Sequence, residues 1–207
     1  MSSATPGTRD ARRVLVGATV AFAALLVIGG MLILWARGRD LDSLFESSRL
    51  WQRTALGASI GSIAAMVCAL IVKSVPGLSR LRRLAEHAVE GIEPRWHTML
   101  IIAVSAGVSE EYFFRGALEP VLGPWLTSLA FVAVHGALRR GGSIAFVLFL
   151  FAASTGLSAL NAWQGLECAI AAHAAYDLAM LAWLSRSRPC LSSRTDTGVG
   201  TTGHASN

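Results

Sequence analysis

The chain alternates between long apolar runs and short polar stretches, a pattern that is typical of helices that cross a membrane. Most runs approach the roughly 20 residues that a helix needs to span a bilayer. The six predicted spans are about Val14–Ala36, Ala55–Val75, His97–Leu118, Trp125–Leu138, Ser143–Leu160 and Leu166–Leu184. The pattern therefore predicts an all-α, polytopic integral membrane bundle.

The fourth predicted element is too short for an ordinary span. It lies between Pro124 and the pair Arg139-Arg140, and as a helix it would rise only ~21 Å. The hydrocarbon core of a bilayer is about 30 Å thick. We therefore expect this element to be buried among its neighbours or to cross incompletely.

Composition supports a membrane protein and argues against a nucleic-acid-binding protein or a disulfide-rich domain. Charged residues make up 15% of the chain, against about 25% in soluble domains. The net charge of +5 could indicate nucleic-acid binding, but the arginines lie in short connections where membrane proteins carry them. The three cysteines show neither a disulfide framework nor a metal-binding spacing.

The distribution of basic residues predicts the orientation of the bundle. Arginines cluster in residues 1–13, in the 74–96 connection, after the fourth element and after the last one, which six crossings would place on one side. The positive-inside rule then predicts both termini in the cytoplasm, and we expect the plasma membrane as the location. The 37–54 loop departs from this rule because it also carries arginines.

The chain divides into four segments on this interpretation. Residues 1–13 form a cytoplasmic segment, and residues 14–96 hold two N-terminal spans with their loops. The first span is too long for a signal-peptide core, so we interpret it as a retained signal anchor. Residues 97–187 form the core that carries the candidate chemistry, and the polar tail 188–207 is expected to be disordered.

Ionisable residues occur inside three of the predicted spans. Each carboxylate or arginine among them would cost about 2.5–3.5 kcal/mol at the bilayer centre if left unpaired. Such residues are a functional-site hypothesis by default, because a membrane helix rarely carries them otherwise. The candidates are Glu110, Glu111, Arg115, His135, His173 and Asp177.

Helical spacing separates the two adjacent glutamates. Glu111 and Arg115 are four residues apart, so they share a helix face with the acid in the favourable N-terminal position. We interpret this pair as a buried tether that neutralises both charges. Glu110 points about 100° away, and Gly107 one turn earlier leaves space there for a partner helix or a water.

The remaining candidates predict one interior polar cavity lined by three helices. His173 and Asp177 are four residues apart and share a face, with alanines around them that permit close helix approach. His135 ends the fourth element. A carboxylate and a histidine can jointly deprotonate a water, and a second histidine can stabilise an oxyanion. Hydrolysis of a peptide bond needs these roles, and Ser154 is read only as a small packing residue.

The three motifs together resemble a known family. Glu110-Glu111-x-x-x-Arg115, Phe131-x-x-x-His135 and His173-x-x-x-Asp177 look like the signature EExxxR, FxxxH and HxxxN/D of the CAAX protease and bacteriocin-processing family, also called CPBP or Abi. This family includes the type II CAAX prenyl proteases. The resemblance covers about residues 98–184, and its strength lies in the order of three motifs on successive apolar spans.

The resemblance implies a helical intramembrane endopeptidase of the glutamate type that requires no metal or other cofactor. Glu110 would activate water with help from His135, while Glu111 would hold Arg115. His173 and Asp177 would face the scissile carbonyl as an oxyanion site. The prenyl proteases carry asparagine at the position of Asp177, and an ionised aspartate cannot donate a hydrogen bond. Asp177 would therefore be protonated or would serve only to orient His173.

Other functions stay open at this point. Two histidines and a glutamate are also the residue types of a zinc site, so a metal-dependent intramembrane protease is an alternative, although the chain has no HExxH spacing. A non-catalytic immunity or scaffolding protein would use the cluster only for packing. The expected partners are a peptide or membrane-protein substrate and the lipid bilayer, with no nucleic acid.

Overall fold

The computed structural model describes residues 6–45, 49–75, 95–135 and 144–186, and every regular element in these ranges is helical. The α-helices are α1 (Pro6–Ala36), α2 (Leu50–Ser74), α3 (Trp96–Glu111), α4 (Glu119–Val134), α5 (Ile144–Gln164) and α6 (Leu166–Arg186). A 3₁₀ turn (Leu41–Leu44) follows α1, and a π-helical segment (Tyr112–Leu118) joins α3 to α4. The predicted all-α class is confirmed. The predictions for the 188–207 tail and for most of the 74–96 connection lie outside the described residues.

Five helical runs in the described ranges are long and apolar enough to cross a membrane. They are Val16–Ala36, Leu50–Ser74, Trp96–Val134, Ile144–Gln164 and Leu166–Arg186. Large apolar side chains on these runs are exposed, as lipid-facing positions require; Leu25, Leu126 and Leu148 are examples. The chain is therefore an integral, multi-pass membrane protein, and the predicted number of six spans is approximate because the third and fourth predicted elements lie in one run.

The run Trp96–Val134 is a hairpin whose chain reverses at Gly123. This glycine has a φ of 76° and a ψ of 166°, a conformation that residues with a Cβ rarely adopt. The rings of Phe114 and Phe131 meet across the hairpin with centroids 5.1 Å apart. The returning leg from Pro124 to Val134 rises only ~16 Å. This leg is too short to cross a bilayer, as expected for the fourth element, and it ends beside the middle of the hairpin's first leg.

Glycines allow α6 to pack closely between α2 and α3. A Cβ at Gly57 or Gly61 of α2 would overlap the backbone carbonyl of Cys168 or Ala172 in α6. A Cβ at Gly107 of α3 would lie 2.9 Å from the backbone of Ala174. Small residues at a spacing of four permit such backbone contact between membrane helices. Gly107 thus leaves room for a partner helix, as the sequence predicted, and brings α3 within reach of the histidine on α6.

Helix α1 packs against the π-helical segment that follows the two glutamates. A Cβ at Gly30 would lie 2.5 Å from the ring of Tyr112, and one at Gly29 would lie 3.2 Å from the ring of Phe113. Leu34 and Tyr112 belong to one buried apolar cluster. The first helix is therefore a structural support for the segment that carries Arg115.

Candidate active site

Glu111 and Arg115 form a buried ion pair at the end of α3 and the start of the π-helical segment. Arg115 Nη1 donates a hydrogen bond to Glu111 Oε1 over 3.1 Å, and neither side chain is exposed. The pairing that the spacing predicted is thus present. An apolar bundle tolerates two buried charges only when they are paired and hydrogen-bonded. Each of these side chains therefore fixes the position of the other.

The other end of the Arg115 guanidinium is held by α5. Nη2 donates to the backbone oxygen and to Oγ of Ser154, over 2.8 Å in each case. Ser154 Oγ in turn donates to Ser128 Oγ over 3.1 Å, and the guanidinium carbon lies 5.1 Å from the centre of the Phe131 ring. Reading Ser154 as only a packing residue is wrong. Arg115 and Ser154 are 39 residues apart in the chain, beyond the reach of any spacing rule within one helix. Only the tertiary structure therefore reveals this role of Ser154.

Glu111 also contacts His173 of α6. His173 Nδ1 lies 2.6 Å from Glu111 Oε1, the same oxygen that accepts from Arg115. An ionised carboxylate only accepts hydrogen bonds, so Nδ1 carries a proton and its partner nitrogen Nε2 faces the other way. The sequence predicted only the pairing of His173 with Asp177. The contact of His173 with Glu111, 62 residues away in the chain, emerges only from the tertiary structure.

Glu110 points away from that pair and toward the two histidines. Its Oε2 lies 3.5 Å from His135 Nε2 and 3.9 Å from His173 Nε2. Both distances are longer than those of strong hydrogen bonds. Oε2 is buried and has no hydrogen-bond partner in the described structure. Glu111 Oε2 likewise has no partner, but Glu111 Oε1 already accepts from Arg115 and His173. Glu110 is therefore the less engaged of the two glutamates, as the helical geometry predicted.

Two contacts with Phe131 orient the ring of His135. Its Nδ1 lies 2.8 Å from the carbonyl oxygen of Phe131, and its ring stacks on the Phe131 ring with centroids 4.2 Å apart. A carbonyl oxygen only accepts, so Nδ1 is the donor. In the neutral imidazole, Nε2 then carries the lone pair that faces Glu110.

Asp177 lies beside the second histidine, and its side chain is partly exposed. Asp177 Oδ2 is 3.5 Å from His173 Nε2. The shared helix face predicted for this pair is thus observed. His173 Nε2 is flanked by two carboxylates, those of Asp177 and Glu110.

The cluster opens into a cavity of about 680 Å³. Its walls are mostly apolar side chains of α2 and α5, and its floor is α6. Tyr176, the residue before Asp177, and Cys68 of α2 also line it, with Tyr176 Oη donating to Cys68 Sγ over 3.3 Å. The six candidates that the sequence selected all meet at this cavity or directly behind it: Glu110, Glu111, Arg115, His135, His173 and Asp177. Sequence reasoning missed Ser128, Ser154, Tyr176 and Cys68.

Metal ligation was a further hypothesis for these residue types. Within the part of the chain that the structure describes, no group of three or more His, Cys, Asp or Glu side chains has an arrangement suited to a metal ion. Glu111 Oε1 is engaged by Arg115 and His173, so Glu111 could not offer both of its oxygens to an ion.

The fold and the site define a multi-pass membrane protein with an intramembrane cluster of carboxylates and imidazoles beside an apolar cavity. Residues 92–179 match the family model described as "Type II CAAX prenyl endopeptidase Rce1-like". The match covers all three motifs and confirms the resemblance to the CAAX protease family. The matched family is named for a CAAX prenyl endopeptidase, which is a peptide hydrolase. A search of curated proteins and a search of solved structures returned no match.

Proposed function

We propose that this protein is a glutamate-type intramembrane endopeptidase that hydrolyses a peptide bond with a water activated by Glu110 and His135. The carrying observation is the buried, unpartnered Oε2 of Glu110, which lies 3.5 Å from His135 Nε2 at the edge of the cavity. Two acceptors at this separation can each receive one hydrogen bond from the same water molecule. The water's oxygen would then face the cavity, where a substrate carbonyl would lie.

The carboxylate of Glu110 acts as the general base. It takes a proton from the water, while the lone pair of His135 Nε2 orients the second hydrogen. Positioned general bases typically contribute about 10²–10⁴-fold to rate. The resulting hydroxide forms the new C–O bond at the scissile carbonyl carbon, and the carbonyl oxygen becomes an oxyanion.

His173 stabilises that oxyanion. Its Nδ1–H is fixed by Glu111, so in the imidazolium form Nε2–H points toward the cavity. A preorganised donor in a water-excluded site acts most strongly where charge develops in the transition state. Asp177, whose Oδ2 is 3.5 Å from Nε2, orients the His173 ring. This assignment does not require Asp177 itself to donate a hydrogen bond.

The intermediate collapses when the C–N bond breaks and the leaving nitrogen takes the proton that Glu110 received. Glu110 thereby returns to its ionised state, and no external acid or base is consumed. Glu111 and Arg115 take no proton in this scheme, because they hold each other and His173 in place. The reaction uses only side chains of this chain, so we propose that it needs no metal or other cofactor.

We also propose the finer features of partners and location. The substrate is a peptide or a membrane protein whose cleavage site reaches the bilayer, and nucleic acid plays no part. The plasma membrane with both termini in the cytoplasm remains our assignment, based on the arginine distribution. The short fourth element does not change it: Ser154 and Ser158 of α5 contact Arg115 and Glu119 in the same order, so α5 runs parallel to the first leg of the hairpin and begins on the same side as α3. Reporter fusions at the two ends test the orientation, and an externally exposed terminus would contradict it.

The direct test compares wild type with Glu110→Gln in proteoliposomes. The substrates are a CAAX-type peptide with a farnesyl thioether and the same peptide without it, since the matched family is described by that substrate class. We expect Glu110→Gln to fold with an unchanged melting temperature and to lose at least ~100-fold in rate, as the loss of a general base implies. Peptides from cells that express the two forms extend the test to unmodified natural substrates.

The alternatives give different results in this experiment. A metal-dependent protease would lose activity with a chelator and regain it with zinc, whereas we expect no effect of either. A non-catalytic immunity or scaffolding protein would cleave none of these substrates and would keep its cellular phenotype in Glu110→Gln. Full proteolytic activity of Glu110→Gln would overturn the proposed mechanism.

A further inference from the structure

The cavity beside the candidate catalytic cluster lies between two helices that scarcely touch each other. α2 and α5 both pack against α6, which forms the floor. Five residues with small side chains or none line the two walls: Gly61 and Ala64 on α2, and Ala152, Ala153 and Gly156 on α5. Glu110, whose buried Oε2 has no hydrogen-bond partner, lines the same space. The cavity is thus a site with an apolar body and a reactive polar end.

Gly156 differs from the glycines that the fold requires. A Cβ at Gly57, Gly61 or Gly107 would collide with a neighbouring helix. A Cβ at Gly156 meets nothing within 4 Å, and its φ is not in the left-handed region. Neither close packing nor backbone geometry therefore explains glycine inside this helix, where alanine would be more favourable.

The depth of Gly156 matches that of the catalytic cluster. α5 and α6 are joined by Gly165 alone, and the ring of Phe149 lies 6.3 Å from that of Tyr176 far from this turn. The two helices are therefore antiparallel. Gly156 and His173 lie at nearly equal distances on either side of Gly165, so both are at about the same level of the bundle.

We propose that Gly156 is the residue that sets the size of the apolar group that a substrate can place beside Glu110 and His173. This inference rests on the proposed protease function and adds a specificity determinant to it. The group is uncharged and aliphatic, because Ile60, Leu157 and Leu160 line the space around it. A side chain larger than hydrogen at position 156 would extend into this space without displacing a helix.

The test uses one CAAX-type peptide whose cysteine sulfur carries a methyl, a hexyl or a dodecyl group. In wild type we expect cleavage of all three, with kcat/KM increasing with chain length. In Gly156→Leu we expect kcat/KM for the dodecyl peptide to fall by at least ~10-fold while that for the methyl peptide stays within about 2-fold, since a single methylene in an apolar pocket discriminates by about 10–200-fold. Gly156→Ala should have an intermediate cut-off. An unchanged ratio between the dodecyl and methyl peptides in Gly156→Leu would overturn the proposal.

Gly17→Leu is the matched control. Gly17 also lies inside a membrane helix with nothing within 4 Å of an added Cβ, and it does not line the cavity. The same change at Gly17 should leave all three rates unchanged. A loss of dodecyl cleavage in both variants would contradict the assignment to position 156.

A labelling experiment separates this proposal from the proposed function. Cys68 lines the same cavity, so its reaction with N-ethylmaleimide reports occupancy without any catalysis. In a Glu110→Gln protein with Cys168→Ala and Cys190→Ala, we expect the dodecyl peptide to protect Cys68, and to lose this protection when Gly156→Leu is added. If wild type cleaves none of the peptides, the protease assignment fails for this substrate class while the labelling still decides the role of Gly156. Equal protection with and without Gly156→Leu would refute that role.

Discussion

Glu111 Oε1 accepts hydrogen bonds from both Arg115 and His173, and the contact with His173 Nδ1 is the shorter, at 2.6 Å. One carboxylate oxygen therefore joins the structural ion pair to the candidate oxyanion donor. Because the Nδ1–H is committed to Glu111, only Nε2 of His173 can serve the cavity. Glu111 thus both stabilises the fold and determines that Nε2 is the nitrogen of His173 available to a substrate.

Removal of Glu111 should damage the fold more than removal of Glu110. Glu111→Gln leaves the buried Arg115 without its counter-charge, and breaking one partner of a buried ion pair costs about 3–5 kcal/mol. We expect a lower melting temperature in detergent and loss of activity for Glu111→Gln, but an unchanged melting temperature for Glu110→Gln. The double change Glu111→Leu with Arg115→Met should recover stability without activity, because it removes both charges. Equal melting temperatures of the two single variants would contradict the assignment of roles.

Ser154→Ala should lower activity through Arg115. It removes one acceptor of the guanidinium, and a hydrogen bond to a charged group contributes about 1.5–3 kcal/mol. We expect a reduced kcat with KM nearly unchanged, since Ser154 does not line the cavity, and recovery of kcat in Ser154→Thr, which keeps the hydroxyl. Ser158→Ala is the matched control, because Ser158 lies one turn on in α5 and donates to Glu119 over 2.6 Å instead. A similar loss of kcat in both alanine variants would indicate a general effect on α5.

Gly61→Leu should separate α2 from α6. The added side chain would overlap the carbonyl of Ala172, one residue before His173, and overpacking costs about 1–3 kcal/mol or more. We expect a lower melting temperature and loss of cleavage. Ser62→Leu, the adjacent and exposed position of the same helix, should change neither. A stable and active Gly61→Leu protein would show that the close approach of α2 and α6 is not required.

Asp177→Asn and Asp177→Ala should separate orientation from charge. Asparagine keeps a polar oxygen near His173 Nε2 and can itself donate to an oxyanion, so we expect Asp177→Asn to keep most of its activity. Asp177→Ala removes both functions, and we expect a loss of about 10–100-fold, the size seen when a partner that orients a metal-bound histidine is removed. Steady-state rates on the same peptide measure the difference. Activity of Asp177→Ala equal to wild type would exclude any role for this carboxylate.

Much of the site could be predicted from the sequence because its pairs are local. The ion pair Glu111–Arg115 and the pair His173–Asp177 follow from a spacing of four on a helix. The separation of Glu110 from Glu111 follows from the 100° turn between adjacent residues. These geometric rules hold inside a single helix, so they need no knowledge of the tertiary structure.

Contacts between helices could not be predicted in this way. Ser154 and Ser128 carry no charge and sit in apolar runs, so nothing local distinguishes them from packing residues. The Glu111–His173 contact depends on the close packing of Gly107 in α3 against Ala174 in α6. Such packing is a property of two helix surfaces together and cannot be read from the spacing within one helix. The hairpin at Gly123 explains how His135 reaches Glu110, which straight spans would not allow.

By itself, the sequence determined the class of the protein and the list of candidate residues. Apolar runs of membrane-spanning length force helices, because backbone groups in a bilayer must be hydrogen-bonded within the chain, and ionisable residues inside such runs are too costly to be incidental. Only the tertiary structure decided which of these residues meet, which ring nitrogen of each histidine faces the cavity, and that a glycine on α5 borders it. Those outcomes depend on how closely helix surfaces approach, and that distance is set jointly by small residues on both partners.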